Sequence, residues 1–173
     1  MLALEQARKV KLMAFDVDGV LTDGSLYFTT NGDEMKAFTS QDGHGLKLLK
    51  MGGVRLAIVT GRRSRAVELR AQNVGIDIVR QAVVDKRSTL LEVLADLGLS
   101  FEEAGFMGDD VVDLPVLRAC GFSATVSDGH ELVRRYADYV ARLPAGRGAV
   151  REVCELILRA QGKLEHAMAP FLG

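Results

Sequence analysis

Two carboxylates placed two residues apart carry the first chemical signal in this chain: Asp16 and Asp18, in Asp16-Val17-Asp18-Gly19, directly after the apolar stretch Leu12 to Phe15. Residues two apart on an extended backbone point to the same side, and Gly19 lets the chain turn away, so both side chains can converge on one ligand. Such a pair can work as a nucleophile and a proton shuttle. One strand-end aspartate alone would read better as a helix cap or turn former. Two of them, with three further signals downstream, read as a site.

The second signal is Thr60-Gly61-Arg62, after the apolar run Val54 to Val59. The Thr60 hydroxyl and the Gly61 amide can donate hydrogen bonds to phosphate oxygens. Third is Lys86, in Asp85-Lys86-Arg87-Ser88 before a helix, whose ammonium can neutralise a carboxylate and a phosphate together. Fourth is Gly108-Asp109-Asp110-Val111-Val112-Asp113, after Gly105 to Met107. Clustered hard oxygen donors that leave room for water and phosphate suit Mg²⁺. Taken singly, each has a plainer reading: Thr-Gly as a turn, Lys86 as a solvated cation, Asp110 and Asp113 as helix caps.

The elements that must position these residues alternate along the chain, apolar strand-like runs with amphipathic stretches. That pattern predicts an α/β fold, a parallel sheet with helices on both faces. Strands are expected at Lys11 to Phe15, Val54 to Val59, Ile76 to Val79, Gly105 to Met107, Phe122 to Val126 and around Tyr139-Val140. Helices are expected over Gly45 to Met51 and over Ser64 to Asn73, with Ser64 as N-cap and Gly75 past the end. Capping-box spacing at Thr89/Glu92, Ser100/Glu103 and Asp128/Glu131 marks three more starts. A last helix from Ala149 to Gln161 turns Val150, Val153, Cys154, Ile157 and Leu158 to the core. Ser25 to Phe38 breaks the alternation. There Asn31-Gly32 separates two strand-like runs and predicts a β-hairpin projecting from the active edge of the sheet.

At 173 residues, 48% apolar and 26% charged, the chain is sized for one core, a single domain spanning 1–173. A net charge of -1 with no basic run interleaved with aromatics argues against a nucleic-acid partner. No apolar run reaches the ~18 to 20 residues of a membrane span, and Met1 to Lys11 lacks a leader pattern, so a soluble, cytoplasmic protein is expected. Cys120 and Cys154 read as buried, reduced thiols.

In order, Asp16/Asp18, Thr60-Gly61, Lys86 and Asp109 to Asp113 resemble the haloacid dehalogenase (HAD) superfamily of aspartate-nucleophile phosphatases, over almost the whole chain. More narrowly, Asp16 to Gly24, Lys36-Ala37-Phe38, Gly108 to Pro115 and Gly146 to Val153 resemble its members acting on a phosphorylated eight-carbon keto-acid sugar of bacterial lipopolysaccharide synthesis. The resemblance implies a Rossmann-like sheet and Asp16 as the nucleophile, forming an aspartyl-phosphate. Asp18 would protonate the leaving sugar oxygen and then take a proton from water. Mg²⁺ would be held by the carboxylates of Asp16 and Asp109 and the main-chain carbonyl of Asp18. Thr60 and Lys86 would hold the phosphoryl group, with Asp110 and Asp113 in support.

Roughly thirty residues separate Asp23 from the next sheet strand, too few for a large cap domain. The resemblance implies instead a homotetramer whose neighbouring subunits complete the site. Leu26, Tyr27 and Phe28 are then candidate interface anchors, or else they pack on their own domain. Arg62 suits a substrate carboxylate through two parallel hydrogen bonds. In similar nine-carbon sugar phosphatases that position tends to be acidic, so arginine favours the eight-carbon substrate; contact with phosphate or solvent is the alternative. Arg147, between Gly146 and Gly148, belongs to a tail that the resemblance implies closes over a neighbour's site, an ordinary glycine-rich loop being the other reading. His44 is left outside the catalytic set.

Three competing readings remain: a nine-carbon sugar phosphatase, a phosphoacceptor receiver module and a non-catalytic scaffold of the same fold. A receiver carries its acceptor aspartate on a middle strand, whereas here the mid-chain strand ends in Thr60. A scaffold needs none of Asp16, Asp18, Thr60, Lys86 and Asp109 together. Metal-dependent phosphate release separates an enzyme from both.

Overall fold

The computed structural model describes residues 2–172. Strand β1 (Leu12–Phe15) lies at the centre of a parallel sheet, between β4 (Arg55–Val59) and β6 (Ala104–Met107). Beyond β4 lies β5 (Ile78–Arg80); beyond β6 come β7 (Phe122–Thr125) and β8 (Tyr139–Val140), giving six strands in all. All four β1 residues are buried: Met13 and Phe15 enter one core, Leu12 and Ala14 the other. Burial on both faces explains why this strand is apolar throughout rather than alternating.

The first core is covered by helices α1 (Leu2–Arg8), α2 (Ser40–Met51), α3 (Arg65–Val74) and α7 (Ala149–Ala160). The second is covered by α4 (Lys86–Leu97), α5 (Leu114–Leu117) and α6 (Glu131–Tyr136). The stripe on α7 is buried as its spacing requires, and α8 (Leu164–Met168) follows it. No helix among the described residues is long and apolar enough to cross a membrane. Both cysteines are free, Cys154 buried and Cys120 partly buried.

Local signals misplace several helix starts. Helix α2 begins at Ser40, five residues before the expected Gly45, because Thr39 caps it by accepting from the Gln41 amide at 3.2 Å. Glycines within it are demanded by packing: a Cβ on Gly45 would lie 2.7 Å from the Arg151 α-carbon. Helix α4 is capped by Asp85, which accepts from the Ser88 amide at 3.0 Å, so Thr89 lies inside the helix and caps nothing. Ser100 and Glu103 do form a capping box, but on the single 3₁₀ turn Phe101–Glu103. Helix α6 is capped by His130, while Asp128 accepts instead from the Ala145 amide at 2.9 Å.

The expected hairpin is present, with β2 (Tyr27–Phe28) antiparallel to β3 (Glu34–Met35). The Thr29 amide donates to the Asp33 carbonyl at 2.9 Å and Thr29 Oγ1 accepts from the Asp33 amide at 3.1 Å, closing the loop around Asn31-Gly32. Leu26, Tyr27, Phe28 and Met35 are all exposed, so they do not pack on their own domain.

Candidate active site

The carboxyl ends of β1, β4 and β6 bring the four sequence signals to one edge of the sheet. Asp16 follows β1 and donates its amide to the Met107 carbonyl at 3.0 Å, which ties the first loop to the end of β6. The chain then makes one wide turn, closed by the Thr22 amide on the Val17 carbonyl at 3.0 Å, with Gly19 at φ 83°. A Cβ on Gly19 would overlap the Asp109 carboxylate. Left-handed φ and a neighbouring carboxylate thus both require glycine there.

Lys86 is the first residue of α4 and its side chain is almost fully buried. Its Nζ lies 2.8 Å from Asp16 Oδ2 and 2.5 Å from Asp113 Oδ1. Asp113 is fully buried, and its Oδ2 accepts from the amides of Asp109 at 3.1 Å and Asp110 at 3.3 Å. One carboxylate therefore joins the lysine to the loop after β6. A Cβ on Gly108 would lie 2.5 Å from Asp113 Cγ, so Gly108 is part of the same fit. Asp110 is exposed and accepts from the Val111 amide at 2.7 Å, capping the turn that Asp113 ends.

Burial raises the Asp16 carboxyl above its ordinary range, opposed chiefly by the Lys86 ammonium. For Lys86 burial works against the charge, but Asp16 and Asp113 outweigh it and the net shift is upward. Asp109 is pushed up to about 7, first by burial and then by the charges of Asp113 and Asp16. Oxygens of Asp16, Asp109 and Asp113 all lie within 4.8 Å of one another. Three carboxylates facing one ammonium make a hard-oxygen, anionic pocket that fits a divalent cation such as Mg²⁺. Asp113 has both oxygens engaged by Lys86 and the two amides, and Asp16 meets the Val17 amide through Oδ1 and Lys86 through Oδ2.

Thr60 directly follows β4 and is buried, its amide donating to the Arg80 carbonyl at 3.0 Å and its carbonyl accepting from the Val83 amide at 3.1 Å. Gly61 and Arg62 follow it into solvent. Arg62 meets a carboxylate of its own chain: Nη2 lies 2.5 Å from Glu34 Oε2, and Nε lies 3.8 Å from Asp18 Oδ2. Lys36, its side chain 1% exposed, pairs with Asp18 and with Glu34, the latter at 2.9 Å. The hairpin thus places a buried lysine on the proposed proton shuttle. Lys36 and Glu34 were not picked out from the sequence as site residues. The available signal was a pair of opposite charges two apart on a hairpin arm, which puts both on one face.

Arg147 is exposed, and its positive charge helps lower the Asp23 carboxyl, whose largest stabiliser is the Ser25 amide. The flanking glycines are anchored. The Gly146 amide donates to the Val20 carbonyl at 3.1 Å, and the Gly148 amide to the buried Asp42 at 3.3 Å. These bonds tie the segment to the loop after β1 and to α2 of the same chain. His44, on α2, makes an edge-to-face contact with Phe171, ring centroids 5.1 Å apart.

A haloacid dehalogenase-like hydrolase family model matches residues 69–152. The chain is 44% identical over 164 residues to the 3-deoxy-D-manno-octulosonate 8-phosphate phosphatase KdsC of Yersinia pestis, covering 95% of this chain and 88% of that one. It is 42% identical to KdsC of Escherichia coli strain K12, covering 95% of this chain and 87% of the relative. Among solved structures it is similar to the phosphatase of Moraxella catarrhalis in complex with magnesium ion, phosphate ion and KDO, with TM-score 0.96, 43% identity, and 98% and 97% of the two chains covered.

Proposed function

Since this chain belongs to the 3-deoxy-D-manno-octulosonate 8-phosphate phosphatase family of haloacid dehalogenase-like hydrolases, we propose that it hydrolyses that sugar phosphate to Kdo and phosphate. The observation that carries the reading is the buried contact of Lys86 with Asp16, at a strand end that also holds Asp18 and Asp109. A buried ammonium beside a carboxylate opposes the rise that burial imposes on it and leaves a cation next to whatever it attacks.

Asp16 attacks phosphorus in line, forming an aspartyl-phosphate as the bond to the sugar oxygen breaks. Asp18 gives its proton to that oxygen, then takes one from the water that opens the intermediate. Lys86 and Thr60, with the Gly61 amide, hold the oxygens of the transferring group. Asp113 orients Lys86, and Asp110 fixes the turn carrying Asp113. The carboxylates of Asp16 and Asp109 and the main-chain carbonyl of Asp18 would hold Mg²⁺. Bound there, the ion lets an anionic nucleophile approach an anionic ester. Arg62 selects the sugar's carboxylate, and Arg147 presents a cation at the rim.

The protein is further proposed to work in the cytoplasm, in lipopolysaccharide synthesis, as one domain in a homotetramer. The exposed apolar side chains of the hairpin support association, and light scattering tests it. The substrate is tested by phosphate release across a panel of keto-acid sugar phosphates. Preferential turnover of the eight-carbon 8-phosphate is expected, and faster release from a nine-carbon 9-phosphate would replace this reading with that one.

A further inference from the structure

The guanidinium of Arg62 and the ammonium of Lys36 grip one carboxylate between them, that of Glu34. Glu34 and Lys36 are two apart on the same hairpin arm, so both point inward, while Met35 between them is exposed. Oε2 of Glu34 meets Arg62 at 2.5 Å; Oε1 is buried with Lys36 at 2.9 Å and has no hydrogen bond from elsewhere among the described residues. Among the described residues, only the two cations hold this carboxylate.

Charge balance gives the arrangement a meaning. Two carboxyl groups, Asp18 and Glu34, face two cations, Lys36 and Arg62, and the close partner of Arg62 is Glu34 rather than Asp18. A sugar acid entering the site brings one more carboxylate. With Glu34 in place that carboxylate finds Arg62 already paired. With Glu34 turned outward, it inherits Arg62. Arg62 is nearly half exposed on a loop and can follow either partner, whereas Lys36 is buried and fixed.

Resting on the substrate class proposed above, we infer that Glu34 is a built-in stand-in for the substrate carboxylate, and that recognition at Arg62 is an exchange of one carboxylate for another. A phosphate ester without a carboxylate does not drive the exchange, so Glu34 stays and narrows the space beside Asp18. Glu34 is therefore a specificity-determining residue: it makes every acidic substrate compete for Arg62, and it keeps Arg62 paired when no such substrate is present.

The test is steady-state kinetics of Glu34→Gln with 3-deoxy-D-manno-octulosonate 8-phosphate and with p-nitrophenyl phosphate. Removing the internal competitor should lower KM for the sugar acid about threefold, the scale of one partly exposed ion pair. The ratio of kcat/KM for the sugar acid to that for the neutral-bodied ester should rise. In an Arg62→Ala background the same substitution should leave the ratio unmoved, because the contested seat is gone. Glu34→Asp, which keeps the charge on a shorter arm, should shift KM in the same direction by less and serves if the glutamine variant folds poorly. A KM for the sugar acid that rises or stays constant in Glu34→Gln would overturn the exchange, a rise reassigning Glu34 to holding Arg62 in position. Failure of the substrate reading looks different: the unmodified protein would then release phosphate from p-nitrophenyl phosphate but not from the sugar acid.

Discussion

The carboxylate of Asp109 lies against the α-carbon of Gly19, on the side where any other residue would carry a Cβ. Asp109 belongs to the loop after β6 and Gly19 to the loop after β1, so this contact sets the spacing between the two halves of the proposed metal pocket. Gly19→Ala must relieve a left-handed φ and push Asp109 away. A stability loss of about 1–2 kcal/mol is expected from the backbone alone, and displacement of Asp109 should lower kcat about a hundredfold. Thermal unfolding and phosphate-release assays read the two effects separately; unimpaired turnover would show that Asp109 can shift without consequence.

Asp16→Asn is nearly isosteric and keeps the oxygen that can accept from the Val17 amide, but the amide cannot act as the nucleophile. Turnover should fall at least about a thousandfold with the circular dichroism spectrum unchanged. Near-normal turnover in a preparation free of unmodified protein would end the covalent mechanism.

Lys86→Met makes the opposite trade. It leaves Asp16 and Asp113 buried side by side without their shared cation, and breaking a buried pair in this way costs about 3–5 kcal/mol. Both stability and activity should drop. The Lys86→Met, Asp113→Asn double variant should recover part of the melting temperature and none of the turnover.

Magnesium and protons should compete at Asp109, which holds its proton up to about 7 against an ordinary value of 3.8. A chelator should abolish activity and added Mg²⁺ restore it. Because the folded carboxyl is the weaker acid, the folded chain binds more protons between these two values. In chelator, stability should therefore fall as pH rises from about 4 through about 7. Mg²⁺ should raise the melting temperature more at pH 8 than at pH 6, and the concentration needed for half activation should grow as pH falls below 7. A pH-independent metal requirement would remove Asp109 from the ligand set.

Arg147→Ala should weaken catalysis and spare thermal stability, since the anchoring bonds of its loop come from the amides of Gly146 and Gly148. Mixed oligomers tell whose site it serves. In oligomers mixed from Asp16→Asn and Arg147→Ala chains, activity above that of either parent requires Arg147 to serve a neighbour's site, and no gain points to the chain's own. Unchanged kinetics would leave Arg147 an ordinary loop residue.

The sheet was legible because the strands that must be buried on both faces are uninterrupted apolar runs, and the chemistry stands at their ends, as with Asp16 after Phe15. Helix starts were less legible. A Ser or Thr followed three residues later by Glu can occur inside a helix, as at Thr89, while the actual caps, Asp85 and His130, carry other signatures. Of the site, the residues that touch one another across neighbouring strand ends could be read one loop at a time. The Lys36–Asp18–Glu34–Arg62 cluster could not, because it forms only when the hairpin folds back over the first loop, and no local pattern fixes that angle. Glycines told a similar story: Gly19 reads as a turn residue, yet what excludes a side chain there is Asp109, ninety positions later.

Helix α7 occupies residues 149–160, yet it underlies the first core: Asp42 accepts from the amides of Gly148 and Arg151, and Gln161 donates to the Val10 carbonyl at 2.8 Å. On the ribosome, Asp16 and Asp18 are made early and then wait. At about 5–20 residues per second, several seconds pass before the helix that seals their side of the sheet has emerged. The nascent chain must keep the apolar faces of α1 and α2 away from other chains for that interval.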